Sequence, residues 1–371
     1  MVSNFFAQRF ARVRDEMDAQ GIDVCLLSLG ADLPWLCGYE AMPLERLTML
    51  VVPKDGDAVL VVPQLEVPRV QPRDEFSVRG WGETEDPISL VAGYAKGAAR
   101  VAVGDRTWSR FVLALQNAMP QAQMTNASSV IGKLRAQKDQ HELAMLQKAA
   151  SVVDVIAGQL QRGEIALEGK TEAEVSAELS RRIIDGGHSR VNFAIVAAGE
   201  NSASPHHEPG GRRINKGDVV LCDFGGTMHD EFGVGYCSDI TRCVVVGEPT
   251  QKMRDVYAVL QLAQNVGVQA GSVGLEAQAV DKATRDIIDA AGYGEWFIHR
   301  TGHGIGVEEH EDPYIVLGNN NPLAEGNAYS VEPGIYLPGE FGFRLEDIVA
   351  LVNGTAQSLN NANHDLASVS A

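Results

Sequence analysis

Five side chains in the second half of the chain have the type and setting to hold cations. Asp223 sits in the apolar run Val219-Val220-Leu221-Cys222-Asp223-Phe224, and Asp239 in Tyr236-Cys237-Ser238-Asp239-Ile240-Thr241-Arg242, which continues into Cys243-Val244-Val245-Val246. Such runs read as buried strands, and Gly225, Gly226, Gly233 and Gly235 between them predict a hairpin. An ionised Asp in a buried strand is costly unless a cation or hydrogen-bond donors meet it, and two on facing strands repel each other. His303 stands among glycines in Thr301-Gly302-His303-Gly304-Ile305-Gly306; Glu332 ends the strand-like Ser330-Val331-Glu332-Pro333-Gly334; Glu346 opens the last strand in Phe343-Arg344-Leu345-Glu346-Asp347-Ile348. Each alone has a plain structural reading: a turn-capping Asp, an Asp paired with Arg242, a turn histidine, a strand-end Glu, a surface Arg–Glu pair. Together the four carboxylates would be neutralised by two divalent cations. A set rich in oxygen with one imidazole and no thiolate favours Mn(II), Co(II) or Fe(II) over a structural zinc, Zn(II) in a catalytic role remaining open. Two such ions roughly 3.5–4 Å apart share a water whose pKa falls to about 7, and the chemistry implied is hydrolysis.

The elements that must position these groups follow from periodicity. Phe6, Phe10, Val13 and Met17 predict a helix over 5–19, followed by strands at 22–27, 47–52, 58–62 and 100–103 and a helix at 108–119. This first part is an α/β unit poor in polar residues suited to chemistry. From about Gly132 the texture changes to long helices at 137–161 and 172–184, the second opened by a Thr171/Glu174 capping box. Strands at 192–198, 218–224 and 239–246 come next. Helices at 251–270 and 275–290 then precede strands near 295–299, 328–331 and 348–352. A helix pair followed by strands thus occurs twice, which predicts an internal duplication with a cleft along its pseudo-two-fold axis. Residues 1–131 and 132–371 are the expected domains.

Two motif resemblances fail on inspection. Gly163 to Gly169-Lys170-Thr171 has the wrong glycine spacing for a phosphate-binding loop and follows a helix rather than a strand. The glycines around His303 lead into Glu308-Glu309-His310-Glu311-Asp312-Pro313, where a dinucleotide-binding helix would have to open. No GxSxG elbow supports a serine hydrolase.

At 371 residues, 45% hydrophobic and 22% charged, the composition is that of a globular protein of about two domains. Forty-nine acidic against thirty-one basic residues give a net charge of −18, which disfavours nucleic acid and anionic lipid as partners. No unbroken apolar run approaches the roughly 18 residues of a membrane span, and the first residues reach a charge too early for a signal core. Cys25, Cys37, Cys222, Cys237 and Cys243 lack CxxC spacing and sit in apolar segments, so reduced thiols and a cytoplasmic setting are expected.

The order Asp-Phe-Gly-Gly, Ser-Asp-Ile-Thr-Arg, Gly-His-Gly-Ile-Gly, Glu-Pro-Gly-Ile-Tyr, Arg-Leu-Glu-Asp resembles the pita-bread metallopeptidases, which include methionine aminopeptidase, aminopeptidase P and prolidase. The resemblance covers essentially the whole chain; Asp32-Leu33-Pro34-Trp35-Leu36-Cys37-Gly38-Tyr39 is the segment most similar to a creatinase-type N-terminal domain. It implies an α+β fold: a pita-bread catalytic domain behind a smaller N-terminal α/β domain. It also implies that Asp223, Asp239, His303, Glu332 and Glu346 are metal ligands, with Asp239 and Glu346 bridging two divalent ions, a full set that metal-free relatives such as creatinase lack. By the same resemblance His310 steadies the tetrahedral intermediate, His206 contacts substrate, Glu332 also shuttles the proton, and Arg344 orients Asp223; the neighbouring His207 is a bystander. The Asp223–Asp239 hairpin, with Met228-His229-Asp230-Glu231-Phe232, is longer than usual and is expected to be a solvated loop, with a small lid as the alternative. No Arg follows His310 before Arg344, where some prolidases hold the proline carboxylate; His206, or Arg46, would have to serve. The expectation is a homodimeric Xaa-Pro dipeptidase acting on a proline-containing dipeptide or short peptide. Aminopeptidase P, acting on longer peptides, and a non-catalytic binding module on the same fold are the alternatives.

Overall fold

The computed structural model describes residues 5–370, and the chain divides into two compact units. The first ends at Arg135 and takes in Glu231–Val234; the second comprises Ala136–Asp230 and Gly235–Ala371.

In the first unit, α1 (Phe5–Gln20) buries Phe6, Phe10, Val13 and Met17, the positions its period predicts. It leads into β1 (Val24–Leu27), α2 (Asp32–Cys37), β2 (Met49–Pro53), β3 (Ala58–Pro63), β4 (Phe76–Trp81), α3 (Pro87–Tyr94), β5 (Arg100–Val103), α4 (Ser109–Ala118), β6 (Gln123–Asn126) and α5 (Ile131–Ala136). The strands form one mixed sheet in the order β4-β3-β2-β1-β5-β6. Its core joins Leu26, Val51, Val61 and Trp81 to Val91 of α3 and Leu115 of α4. Short α2 and α3, and the half-exposed edge strands β4 and β6, carry too little periodic signal to be read from sequence.

In the second unit the duplication is visible. One half runs α6 (Gln140–Gln161), α7 (Glu172–Asp185), β7 (Arg190–Ala198), β8 (Val219–His229), β9 (Gly235–Cys237) and β10 (Ile240–Val246). The other runs α8 (Gln251–Ala270), α9 (Ala277–Ala290), β11 (Gly302–Gly304), β12 (Glu311–Ile315), β13 (Ala328–Val331), a β14 (Gly334–Leu337)/β15 (Phe341–Arg344) hairpin, β16 (Asp347–Val352), β17 (Thr355–Ser358) and β18 (Ala367–Val369). Two five-stranded sheets result: β18-β10-β8-β7 with β9 on β8, and β12-β11-β13-β16-β17. Both long helices of the first half start at capping boxes, Asp139/Glu142 and Thr171/Glu174, which satisfy orphan backbone donors.

The unbroken apolar runs follow from burial on both faces of the first sheet. Val220, Cys222, Phe224, Val244 and Val246 pack under α6 and α7, while Val219, Leu221, Cys243 and Val245 pack on the other side with α8 and the β14/β15 hairpin. The two sheets touch where Thr241 and Glu346 form an isolated antiparallel bridge.

Two expectations are corrected, on residues 295–299 and on the hairpin tip. Residues 295–299 hold no strand: Gly294–Trp296 is a single 3₁₀ turn, Phe297 drops into the core, and no ladder partner is within reach. The hairpin tip is not a solvated loop, because Phe232 stacks on Phe5 at 4.6 Å and its carbonyl accepts from Arg73 Nη2 at 2.8 Å, all within the first unit. Helix α6 is long and apolar enough to cross a membrane by length and composition, although Val153, Ile156, Ala157 and Leu160 along it are buried in the core.

Candidate active site

Strand alternation places the first carboxylates. Asp223 pairs with Thr241 across β8 and β10, and Asp239 lies two residues before Thr241, so all three side chains leave the same face of the sheet. Glu346 is brought to that face by the bridge between sheets, its amide donating to Thr241 O at 3.3 Å and its Oε2 accepting from Thr241 Oγ1 at 2.7 Å. From the second sheet come His303 on β11 and Glu332 just past β13, whose amide donates to Thr301 O at 2.8 Å. His303 Nε2 lies 3.2 Å from Glu332 Oε1 and 3.9 Å from Asp239 Oδ2. Two glycines permit this closeness: a Cβ at Gly225 would overlap the Ser238 carbonyl, and one at Gly302 the Ser330 carbonyl.

The five groups meet in one cavity of about 490 Å³, whose lining also includes His206, His310 and Arg344. Asp239, His303 and Glu346 each offer an atom within 4.8 Å of the others. Burial, and then the neighbouring carboxylates, push Asp239 and Glu346 well above the ordinary carboxylate range. Asp223 is raised by burial and by Glu332, with Arg344 opposing. Burial acts on Glu332 in the same direction, but the His303 hydrogen bond and charge outweigh it and hold that carboxyl low. Asp223 Oδ1, Asp239 Oδ1 and Glu346 Oε1 are buried with no hydrogen-bond partner. Buried oxygens of this kind are costly unless something positive meets them, so the donor set fits divalent cations. The remaining ring nitrogen of His303, Nδ1, is 3.1 Å from Gly304 O. A proton placed on Nδ1 by that contact would turn Nε2, now facing Glu332, into a lone-pair donor for a metal.

The plain structural readings do not survive. Asp223 accepts from Arg344 Nη2 at 2.6 Å rather than capping a turn. Arg242 pairs not with Asp239 but with Asp347, at 2.7 Å, and neither is exposed. Arg344 and Glu346 are buried, so they are no surface pair. Arg344 also donates to Thr241 Oγ1, Tyr336 Oη and Pro205 O. The His310 ring lies against that of His303, centroids 3.9 Å apart and planes inclined at 43°. His207 is absent from the cavity lining; its Nε2 is 2.8 Å from Glu172 Oε2. Arg46 is engaged by Glu45 and Glu83 within the first unit.

Sequence reasoning missed six residues that line the cavity: Phe193, Ile195, Pro205, His299, Arg300 and Glu309. His299 holds Tyr336 Oη at 2.8 Å and so joins the Arg344 network. Arg300 is a second cation of the cleft besides Arg344. Thr301 N donates to Ile315 O, which sets Arg300 beside Tyr314 on the neighbouring strand, its guanidinium carbon 4.4 Å from the ring centroid. A basic side chain thus reaches the cavity from before His303 rather than after His310, a cross-strand placement that linear spacing conceals.

Comparison with known proteins gives concordant results. The sequence pattern of metallopeptidase family M24 matches residues 144–353, and that of the creatinase/prolidase N-terminal domain matches residues 9–137. The chain is 38% identical over 366 residues to a protein named "Probable dipeptidase PepE" from Mycobacterium tuberculosis, covering 97% of this chain and 96% of that one. It is 35% identical over 357 residues to the Xaa-Pro dipeptidase of Lactobacillus helveticus, covering 93% and 94%. Among solved structures, dipeptidase PepE from Mycobacterium ulcerans superposes with a TM-score of 0.91 at 38% identity, covering 100% of both chains.

Proposed function

The chain belongs to metallopeptidase family M24, and from that membership we propose that it hydrolyses the Xaa-Pro bond of dipeptides. The observation that carries this reading is the convergence of four carboxylates and one imidazole on one cavity, with buried oxygens of Asp223, Asp239 and Glu346 left without partners. The proposed ligands are Asp223, Asp239, His303, Glu332 and Glu346, which together would hold two divalent ions. Mn(II) suits this thiolate-free set best. The bound cations would supply an acidified water and polarise the scissile carbonyl.

The chain's own residues do the rest. Glu332, its Oε1 fixed by Ser330 Oγ at 3.0 Å, takes the proton of the attacking water and returns it to the prolyl nitrogen as the C–N bond breaks. His310 is neutral at pH 7, because burial and then His303 push its pKa down to about 4. It can therefore donate an N–H to the oxygen on which negative charge develops. His206, also in the cavity lining, contacts the substrate. Arg344 points Asp223 at the cluster. Arg300 has no carboxylate partner among the described residues and takes the free carboxylate of the dipeptide. Phe193 and Ile195 give the prolyl ring an apolar wall.

The remaining assignments are a homodimer, which rests on the family resemblance, and a cytoplasmic setting, which suits five free, buried thiols. The test of the substrate is a comparison of kcat/KM for Ala-Pro, Ala-Pro-Ala and Ala-Pro amide in Mn(II). A dipeptidase loses much of its rate when the carboxylate is extended or masked, since Arg300 is then left unpaired. Equal or faster cleavage of the tripeptide would transfer the assignment to aminopeptidase P.

A further inference from the structure

His206 reaches the cleft from the irregular segment between β7 and β8, and its ring has no hydrogen-bond partner of its own among the described residues. Its aim is therefore set by the backbone that carries it. That backbone is gripped from outside the cavity by one carboxylate. Glu172, the first residue of α7, is fully buried. Its Oε1 accepts from Ala198 N and Asn201 Nδ2, each at 2.9 Å, on the entry side of the loop. Its Oε2 is 2.8 Å from His207 Nε2 and accepts from Gly210 N at 3.2 Å, on the exit side. The backbone repeats the tie, with Glu172 N donating to Arg212 O at 3.1 Å and Ala173 N to Gly210 O at 3.0 Å.

Residues 201–207 are thus closed into a loop whose two ends meet on Glu172. The far edge of the loop is pinned separately, where Pro205 O accepts from Arg344 Nη1 at 3.2 Å. His206 projects between these two ties. His207 is the side chain that turns the exit end back toward α7, and as its immediate neighbour His206 is sent the other way. Burial would raise the carboxyl of Glu172, but the hydrogen bonds from Asn201 and His207 and those from Ala198 and Gly210 outweigh it and keep it an acceptor.

We propose that Glu172 and His207 are positioning residues for substrate binding, closing loop 199–210 so that His206 projects into the cleft. The proposal rests on the reading of His206 as a substrate contact, and its test separates the two. kcat/KM for Ala-Pro and metal content are measured for the Mn(II)-loaded full chain with His206→Ala, His207→Ala, and both together. His207→Ala should lower kcat/KM about tenfold to a hundredfold, mostly through KM, as displacement of a contact by about an ångström does. Metal content should stay at the wild-type value. In the His206→Ala background the same substitution should cost less than about twofold, because the residue it serves is gone. His207→Gln, which keeps an N–H for Glu172, should restore most of the loss. Asn201→Ala, which removes a donor on the entry side, should repeat the pattern of His207→Ala even if that variant folds poorly. An equal loss in both backgrounds, or no loss in either, would overturn the proposal. If His206→Ala by itself left kcat/KM unchanged, the substrate contact would fail first, and the positioning role with it.

Discussion

At the scale of single residues, the histidines proposed to meet substrate are distinct from the proposed metal ligands. His310 and His206 line the cavity, but neither completes the cluster of Asp239, His303 and Glu346. His310→Ala is therefore expected to cut kcat by about a hundredfold to a thousandfold while two ions per chain remain on elemental analysis. A variant that lost its metal would make that histidine a ligand. Arg300 allows a sharper experiment, because its proposed partner belongs only to a dipeptide. Arg300→Ala should lower kcat/KM for Ala-Pro by about tenfold to a hundredfold, the worth of a hydrogen-bonded charge. It should leave Ala-Pro amide almost unaffected, and equal losses on both substrates would remove Arg300 from carboxylate binding.

At the scale of elements, the site depends on strands brought closer than side chains allow. Gly225 lies between the two Asp-bearing stretches, and a Cβ there would overlap the Ser238 carbonyl one residue before Asp239. Gly225→Ala should push β8 from the β9–β10 segment, lower Mn(II) affinity by at least tenfold in a titration, and lower the unfolding free energy by an amount typical of overpacking, about 1–3 kcal/mol. Unchanged affinity would show that the metal cluster tolerates a wider hairpin. Arg242 does comparable work at the seam between sheets. From a fully buried position it donates to Thr241 O at 2.9 Å and Glu346 O at 2.6 Å while pairing with Asp347. One cation thus fixes the backbone under two of the residues that converge on the cleft.

At the scale of the whole molecule, the second unit carries a carboxylate crowd whose cost bound cations would relieve. Two helix pairs and two five-stranded sheets deliver Asp223, Asp239, Glu332 and Glu346 to one cavity, where Arg344 pairs with Asp223 and His303 with Glu332 while Asp239 and Glu346 crowd each other. Ligands that bind only the folded state stabilise it by mass action, about 3–4 kcal/mol for a site at a hundred to a thousand times its Kd. Chelation should therefore lower the unfolding free energy from urea titration by an amount of that order and abolish hydrolysis, and Mn(II) should restore both. An unfolding midpoint indifferent to chelator would mean that the carboxylates are satisfied in some other way.

Much of this was legible in the sequence for a local reason. A carboxylate in an apolar strand, a histidine among glycines, a Thr171/Glu174 box or the period of α1 each states its own requirement within a few residues. The repetition of helix pair and strands conveyed the duplication, and burial of both sheet faces made β8 and β10 conspicuous. The partner that meets each requirement was decided only by the tertiary structure. Arg242 faces Asp347 across 105 positions and His207 faces Glu172 across 35. Arg300 reaches the cleft because a strand pairing sets it against Tyr314, and the hairpin tip is anchored by Phe232 stacking on Phe5. Sequence fixes what a buried charge needs, since that depends on its immediate surroundings; which distant group supplies it depends on sheet register and chain crossings, and those exist only once the chain has folded.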